Sequence, residues 1–241
     1  MSLLKKFGSR KDTRDYVVVS VGGSLIVPDG IDAAFLKSFR AFVLDHLERG
    51  LSFFIITGGG RLARNYQDAA RDVRGEDGLE LEDADWLGIH STRLNAHLMR
   101  SLFLEQAQSR IVKSYDHRIR SRGDIIIGAG WKPGRSTDYC AVIAARELGA
   151  KKMVNLSNID YVYTADPKKD PNATKIETIG WSDFRKLIPE EWDPGLSSPF
   201  DPVAAREAES LKLEVAIING NKLDEFGNYL AGEKFQGTVI H

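Results

Sequence analysis

Six runs of apolar, largely β-branched residues, at 16–21, 51–57, 124–128, 152–156, 214–219 and 237–240, are short, and several are continuously apolar rather than alternating. Such runs read as strands buried on both faces, which requires helices on both sides of a sheet. The intervening segments supply those helices. In "IDAAFLKSFRAFVLDHLERG", Leu36, Phe39, Val43 and Leu47 recur at intervals of three and four, and Gly50 closes the pattern. Further helices are expected from Arg61, over "EDADWLGIHSTRLNAHLMRSLFLEQAQ", from Thr137 to a terminal Gly149, over "WSDFRKLI", and over "DPVAAREAESLKL". In the last, Pro202 falls in the first turn, where its missing N–H costs nothing. Strands alternating with helices predict an α/β fold with a mostly parallel, doubly covered sheet.

A chain of 241 residues is long enough for one large domain or two intimate lobes. Thirty-three basic residues nearly balance 34 acidic ones, and the net charge of −1 calls for neither nucleic acid nor an anionic membrane. The single cysteine, Cys140, excludes an intrachain disulfide and a cysteine-based zinc cluster; in "TDYCAVIAA" it reads as a buried helical residue, and a reducing cytoplasm is the natural setting. Residues 1–15 read as a loose tail without a signal-like apolar run, and no stretch approaches the roughly 20 apolar residues of a membrane span. The expected boundary between two lobes, 16–150 and 151–241, falls near 150, where "ELGAKK" passes from helix to strand. The stretch 157–200, rich in Pro, Asp, Asn and Ser, reads as hairpins and loops around one short helix.

Two strand ends are glycine-rich. "VVVSVGGSL" stops at Gly22-Gly23-Ser24, and "FFIITGGGR" at Gly58-Gly59-Gly60 with Arg61 and Arg64 beyond. Ligands of parallel sheets sit at the carboxyl ends of strands, and a helix start there offers open N–H groups and a dipole that favours anions. Without Cβ atoms the chain can approach a phosphate closely; either cluster alone is equally compatible with a plain tight turn. A third stretch, "GAGWKPGRSTDYCAV", carries Lys132, Pro133, Gly134 and Arg135 into a helix start with hydroxyls at Ser136 and Thr137 and Asp138 in the first turn. It suits a phosphorylated or polar substrate, or simple capping, or both. A fourth, "NLSNIDYVYTADPKKDP", reads as a hairpin with turn residues or as a cup for a base against Tyr163, with Lys168 or Lys169 near phosphates. A P-loop, a G-x-G-x-x-G and an H-E-x-x-H are all missing, and His90 and His97 read as surface or core histidines.

These stretches, together with "DWLGIHSTRLNA", "SPFDPVAA" and the closing "GTVI", resemble the amino-acid kinase family, in particular its archaeal-type uridylate (UMP) kinase branch, over roughly 16–240. The resemblance implies a three-layer αβα sandwich with an N-terminal acceptor lobe and a C-terminal ATP lobe. It implies transfer of the ATP γ-phosphate to UMP, giving UDP, for pyrimidine nucleotide synthesis, with Mg²⁺ accompanying ATP and a homo-hexamer as the usual assembly. By the same resemblance Gly23, Ser24, Gly60 and Arg64 line the ATP phosphates, while Ser157, Tyr163 and Asp166 hold the rest of ATP. Gly59 approaches the UMP phosphate, Asp85 its ribose, and Trp131, Lys132, Pro133, Gly134, Arg135, Ser136 and Thr137 wrap the remainder. No residue is assigned to a metal.

Ser20 stands where many members of that family carry a Lys, Trp131 where the branch has a small hydroxyl residue, and Tyr161 where it has Gly. Two unit negative charges about 4 Å apart repel by roughly 4 kcal/mol at an effective dielectric near 20, and glycine amides at about 1 kcal/mol each do not offset several such pairs. Arg61, Arg64 and Lys168 are therefore the expected catalytic cations, with Lys132 and Arg135 in support. A UMP phosphate oxygen is already ionised at neutral pH, so no general base is required. The same residues also accommodate a family kinase with a different small acceptor, and an oxoanion-binding assembly like the molybdenum storage proteins.

Overall fold

The computed structural model describes residues 14–75, 78–119, 123–191 and 198–241. The expected tail therefore lies outside the described residues apart from Arg14 and Asp15. In chain order the elements are β1 (Tyr16–Val21), α1 (Gly23–Ile26), α2 (Ala33–Glu48), β2 (Ser52–Thr57), α3 (Gly60–Arg74), α4 (Leu81–Leu102), β3 (Ile125–Gly128), α5 (Thr137–Leu148) and β4 (Lys152–Ser157). There follow β5 (Val162–Tyr163), β6 (Lys175–Ile176), β7 (Thr178–Ile179), α6 (Trp181–Leu187), α7 (Pro202–Leu211), β8 (Glu214–Asn219), α8 (Leu223–Ala231) and β9 (Thr238–Ile240).

Seven strands form one sheet in the order β3-β2-β1-β4-β8-β9-β7, while β5 and β6 make a separate hairpin. Every pair in the large sheet is parallel except β8 with β9. Side chains alternate between two cores, as a pleated strand requires. Val18, Phe54, Ile56, Ile126, Met153, Val215 and Ile217 face α5, α6 and α7, with Trp181, Phe184 and Phe200 filling that side. Val19, Val21, Phe53, Ile55, Ile125, Ile127, Val154, Ala216 and Ile218 face α1, α2, α4 and α8. These are the three layers of an αβα sandwich. Each Val, Ile, Phe or Met among them that is completely buried contributes roughly 1.5–3 kcal/mol.

Local chemistry sets the helix ends. Asp32 caps α2 by accepting the Phe35 N–H at 2.8 Å, Ser136 caps α5 by accepting the Tyr139 N–H at 3.1 Å, and left-handed Gly149 ends α5. The helix expected to run on to Gln108 ends instead at Leu102. Phe103 leaves it to bury its ring completely, and Ala107 and Val112 then pair beside β3. Cys140 is fully buried on α5, and His90 and His97 are exposed on α4. Among the described residues no helix is long and apolar enough to cross a membrane.

Candidate functional site

Because β1, β2, β3, β4 and β8 run parallel, their carboxyl ends share one edge of the sheet, and α1, α3, α5 and α8 begin there. Some of the expected N–H groups are already used. Gly22 donates to the Leu156 carbonyl at 2.8 Å, Gly58 to Val21 at 2.9 Å and Arg61 to Val27 at 2.9 Å. The N–H groups of Gly23, Ser24, Gly59 and Gly60 donate to nothing among the described residues.

The two glycine turns are also pressed against each other. A Cβ on Gly23 would stand 2.0 Å from the Gly60 nitrogen, and one on Gly58 would stand 2.5 Å from the Gly23 nitrogen. Gly60 adds a φ of +64°, where a side chain is strained. Glycine is therefore demanded here first by backbone packed on backbone, a reason distinct from room for a phosphate. The side chains of Arg61 and Arg64, at the start of α3, have no ion pair or hydrogen bond among the described residues.

Helix α4 holds the surrounding loops in place. Asn95 Nδ2 donates to the carbonyls of Gly58 (2.8 Å) and Gly59 (3.2 Å). Thr92 Oγ1 accepts the Gly130 N–H at 2.8 Å, and Arg93 donates to the carbonyls of Gly130 (3.3 Å) and Trp131 (2.9 Å). Asp85 Oδ2 accepts the Gly134 N–H at 2.7 Å. Asp85, expected on a ribose, is thus also a fastening for the loop that carries Lys132, Pro133 and Arg135. The half-buried Trp131 ring leans on Tyr115, 5.9 Å between centroids, and Lys132 Nζ lies 4.0 Å over it. Arg135 lies 4.8 Å over the Tyr139 ring. Ser136 is engaged as the α5 cap, and Thr137 opens that helix.

Ser20 and Asp138, remarked on separately in the sequence, meet in one polar cluster that also takes in Asn155 and Asp201. Asp138 Oδ1 accepts from the Ser20 hydroxyl at 3.0 Å and from Asn155 Nδ2 at 3.4 Å. Desolvation, reinforced by the Asp201 carboxylate, pushes the Asp138 carboxyl up to about 7, against the Ser20 hydrogen bond. Asp201 is 6% exposed; it caps α7 through the Ala204 N–H at 2.5 Å, and its Oδ2 is buried without a hydrogen-bond partner. Burial raises its pKa as well. Ser20 and Asn155 had a visible signal, a polar residue inside an otherwise apolar strand. Thr92, Arg93 and Asn95 lie in the "DWLGIHSTRLNA" stretch that carries the resemblance, but nothing in their type or spacing announced which loops they fasten.

At the end of β4, the Ser157 hydroxyl accepts the Ile159 N–H at 3.4 Å. Tyr163 lies half-buried in the hairpin opposite Lys175, and the preceding Val162 N–H is anchored on Thr238 Oγ1 at 2.9 Å. The Asp166 carboxylate accepts the Lys168 N–H at 3.0 Å and so holds its own turn. Among the described residues no hydrogen bond or ion pair brings Asp166 or Lys168 to the glycine turns. The structure thus gathers Gly23, Ser24, Gly59, Gly60, Arg61, Arg64, Ser136, Thr137 and Ser157 along one edge, ties Asp85 to the 130–135 loop, and leaves Asp166 and Lys168 on a separate turn.

Residues 15–219 match the amino acid kinase family. A uridylate kinase of Methanocorpusculum labreanum is 34% identical over 93% of this chain and 94% of its own length, and one of Hyperthermus butylicus is 30% identical over 93% and 97%. Among solved structures, uridylate kinase from Archaeoglobus fulgidus superposes with a TM-score of 0.75 at 26% identity, covering 93% of this chain and all of that one. UMP kinase from Bacillus anthracis shares the fold, with a TM-score of 0.73 at 19% identity over 94% of this chain and 96% of its own. With residues 15–219 matched by the family and nearly the whole chain covered by a relative 34% identical to it, the chain belongs to the amino acid kinase family.

Proposed function

We propose that this protein transfers the γ-phosphoryl group of ATP to the phosphate of UMP, giving UDP for pyrimidine nucleotide synthesis in the cytoplasm. One observation carries the reading. Four N–H groups on two touching turns stand at the start of the helix that carries Arg61 and Arg64, and among the described residues none of these amides or guanidinium groups has a partner. Amides without acceptors and unpaired guanidinium groups in one place suit phosphates better than any neutral ligand. The relatives support the acceptor: both the near-complete matches and the solved neighbour at 26% identity are uridylate kinases.

In this reading the first half of the chain, to about residue 150, holds UMP, and the second half holds ATP. Gly23, Ser24, Gly60 and Arg64 receive the ATP phosphates; Ser157, Tyr163 and Asp166 receive its base and ribose. Gly59, Asp85 and the stretch Trp131–Thr137 receive UMP. Arg61, Arg64 and Lys168 offset the charge that gathers as two phosphates meet, Lys168 by movement of its turn. The nucleophile is a UMP phosphate oxygen that needs no base, so the protein's task is alignment and charge. Magnesium fits as an ion carried on the nucleotide's phosphates, since the described residues hold no group of three or more His, Cys, Asp or Glu ligands. Its chemistry would be to neutralise phosphate oxygens, with Gly23, Ser24, Gly60 and Arg64 holding the nucleotide that carries it.

The protein assembles with copies of itself in this reading, a hexamer being the form the family resemblance implies. In support, Ile31, Tyr66 and Leu94 are each about 60% exposed. Ile31 and Leu94, with Val27, Leu62 and Leu98, line an apolar groove of about 440 Å³ beside α4. An exposed apolar patch of this kind marks an association surface.

A coupled assay of ADP release with UMP, CMP, isopentenyl phosphate and carbamate tests the acceptor. Release that requires UMP, and falls about tenfold or more in kcat on Arg64→Ala, is expected. Equal release with and without UMP would remove the assignment.

A further inference from the structure

The turn between β8 and α8, Asn219 to Lys222, belongs to none of the stretches assigned above. It sits at the same sheet edge, one strand beyond β4. Its backbone is docked on both neighbours. The Gly220 N–H donates to the Ser157 carbonyl at 2.8 Å, and a Cβ on Gly220 would stand 2.2 Å from Leu25 Cδ1, so the turn is pressed against α1. On its other side two donors converge on one oxygen. Asn219 Nδ2 and Lys222 Nζ each lie 2.8 Å from Asp160 Oδ1, and Lys222 Nζ reaches Gln236 Oε1 at 3.2 Å. The turn is itself braced by the Asn221 N–H on Asn219 Oδ1 at 3.0 Å. Lys222 and then Asn219 hold the Asp160 carboxyl below the usual carboxylate range, so Asp160 stands ionised at neutral pH.

Asp160 lies between Ser157 and Tyr163, in the stretch given to the base and ribose of ATP. Leu25 follows Gly23 and Ser24, given to its phosphates. One four-residue turn therefore touches the supports of both ends of the same nucleotide. We propose that this turn sets the span between the phosphate loop and the base-holding stretch, with Lys222 and Asn219 acting through Asp160 as positioning residues for ATP. The inference rests on the ATP assignments made above. Both partners are more than a third exposed, 39% and 38%, and such pairs add little to stability. Their loss should register in donor binding far more than in folding.

Steady-state kinetics on the full chain, varying ATP and UMP separately, tests this. Lys222→Met should raise KM for ATP about tenfold while kcat and KM for UMP change by less than about threefold. Lys222→Arg, which keeps charge and reach, should restore KM for ATP. Asp160→Asn should reproduce the rise, and the double variant should be no worse than either single one, because both remove the same contact. Calorimetry with ATP alone separates this proposal from the acceptor assignment. ATP binding about tenfold weaker in Lys222→Met upholds the positioning role even in a chain without UMP-dependent turnover. Equal ATP affinity in the two proteins overturns it, as does an equal rise in both KM values or a failure of Lys222→Arg to rescue.

Discussion

Asp138 is a carboxyl at the sheet edge whose surroundings disfavour its charge. Its carboxyl is pushed up to about 7 by desolvation and by the neighbouring Asp201 carboxylate. The folded protein therefore holds a proton that the unfolded chain releases near the ordinary value of 3.8. A group with a raised pKa favours the folded state below its unfolded value, and that contribution drains away as pH rises through the folded one. Between 3.8 and about 7, the wild type should thus lose stability relative to Asp138→Asn, which has no such proton to lose. Thermal melts across that window check this: the Tm gap in favour of the variant should widen with pH and level off above about 7. A gap independent of pH would contradict it. At this scale the chain was half legible. The glycines, the arginines and the 131–137 loop announce themselves by type and spacing. Asp201 does not, because its partner Asp138 is 63 positions away and only the packing of α7 on α5 joins them.

The elements at the site are held by contacts between turns. Gly60 is the test case: its φ of +64° alone costs a non-glycine residue about 1–3 kcal/mol, and a Cβ there would also stand 2.2 Å from the Gly23 carbonyl oxygen. Gly134 is the control, with a φ of +74° but open space around its Cβ position. In denaturant melts Gly60→Ala should lower the midpoint clearly more than Gly134→Ala, whose cost is backbone strain alone, about 1–2 kcal/mol. Equal losses would mean that the turns yield to each other. Long elements were readable from periodicity, and their caps from Asp32 and Ser136. Helix α8 was not, because Gly227 interrupts its apolar pattern and Lys222 supplies no capping oxygen. The two-residue strands β5, β6 and β7 carry no periodic signal at all; their existence is decided by distant partners such as Thr238 and Val239.

For the whole molecule, the parallel sheet with its two cores follows from buried strands alternating with helices. The antiparallel insertion of β9 between β8 and β7 does not, since it depends on which edge remains open once the other strands are paired. The apolar groove beside α4 belongs to this scale too. Leu94→Glu, at a position 61% exposed, should leave the fold intact and shift light-scattering mass toward smaller species. An unchanged mass would place self-association elsewhere. The interlocked turns at Gly23, Gly58 and Gly60 also alter how tolerance to substitution must be interpreted. A saturation screen scored on growth would find these three sites almost immutable, and chemistry would be the tempting explanation. Much of that intolerance would be steric and would persist in a catalytically dead background, so a screen repeated on such a background, scored by abundance, would tell scaffolding from turnover.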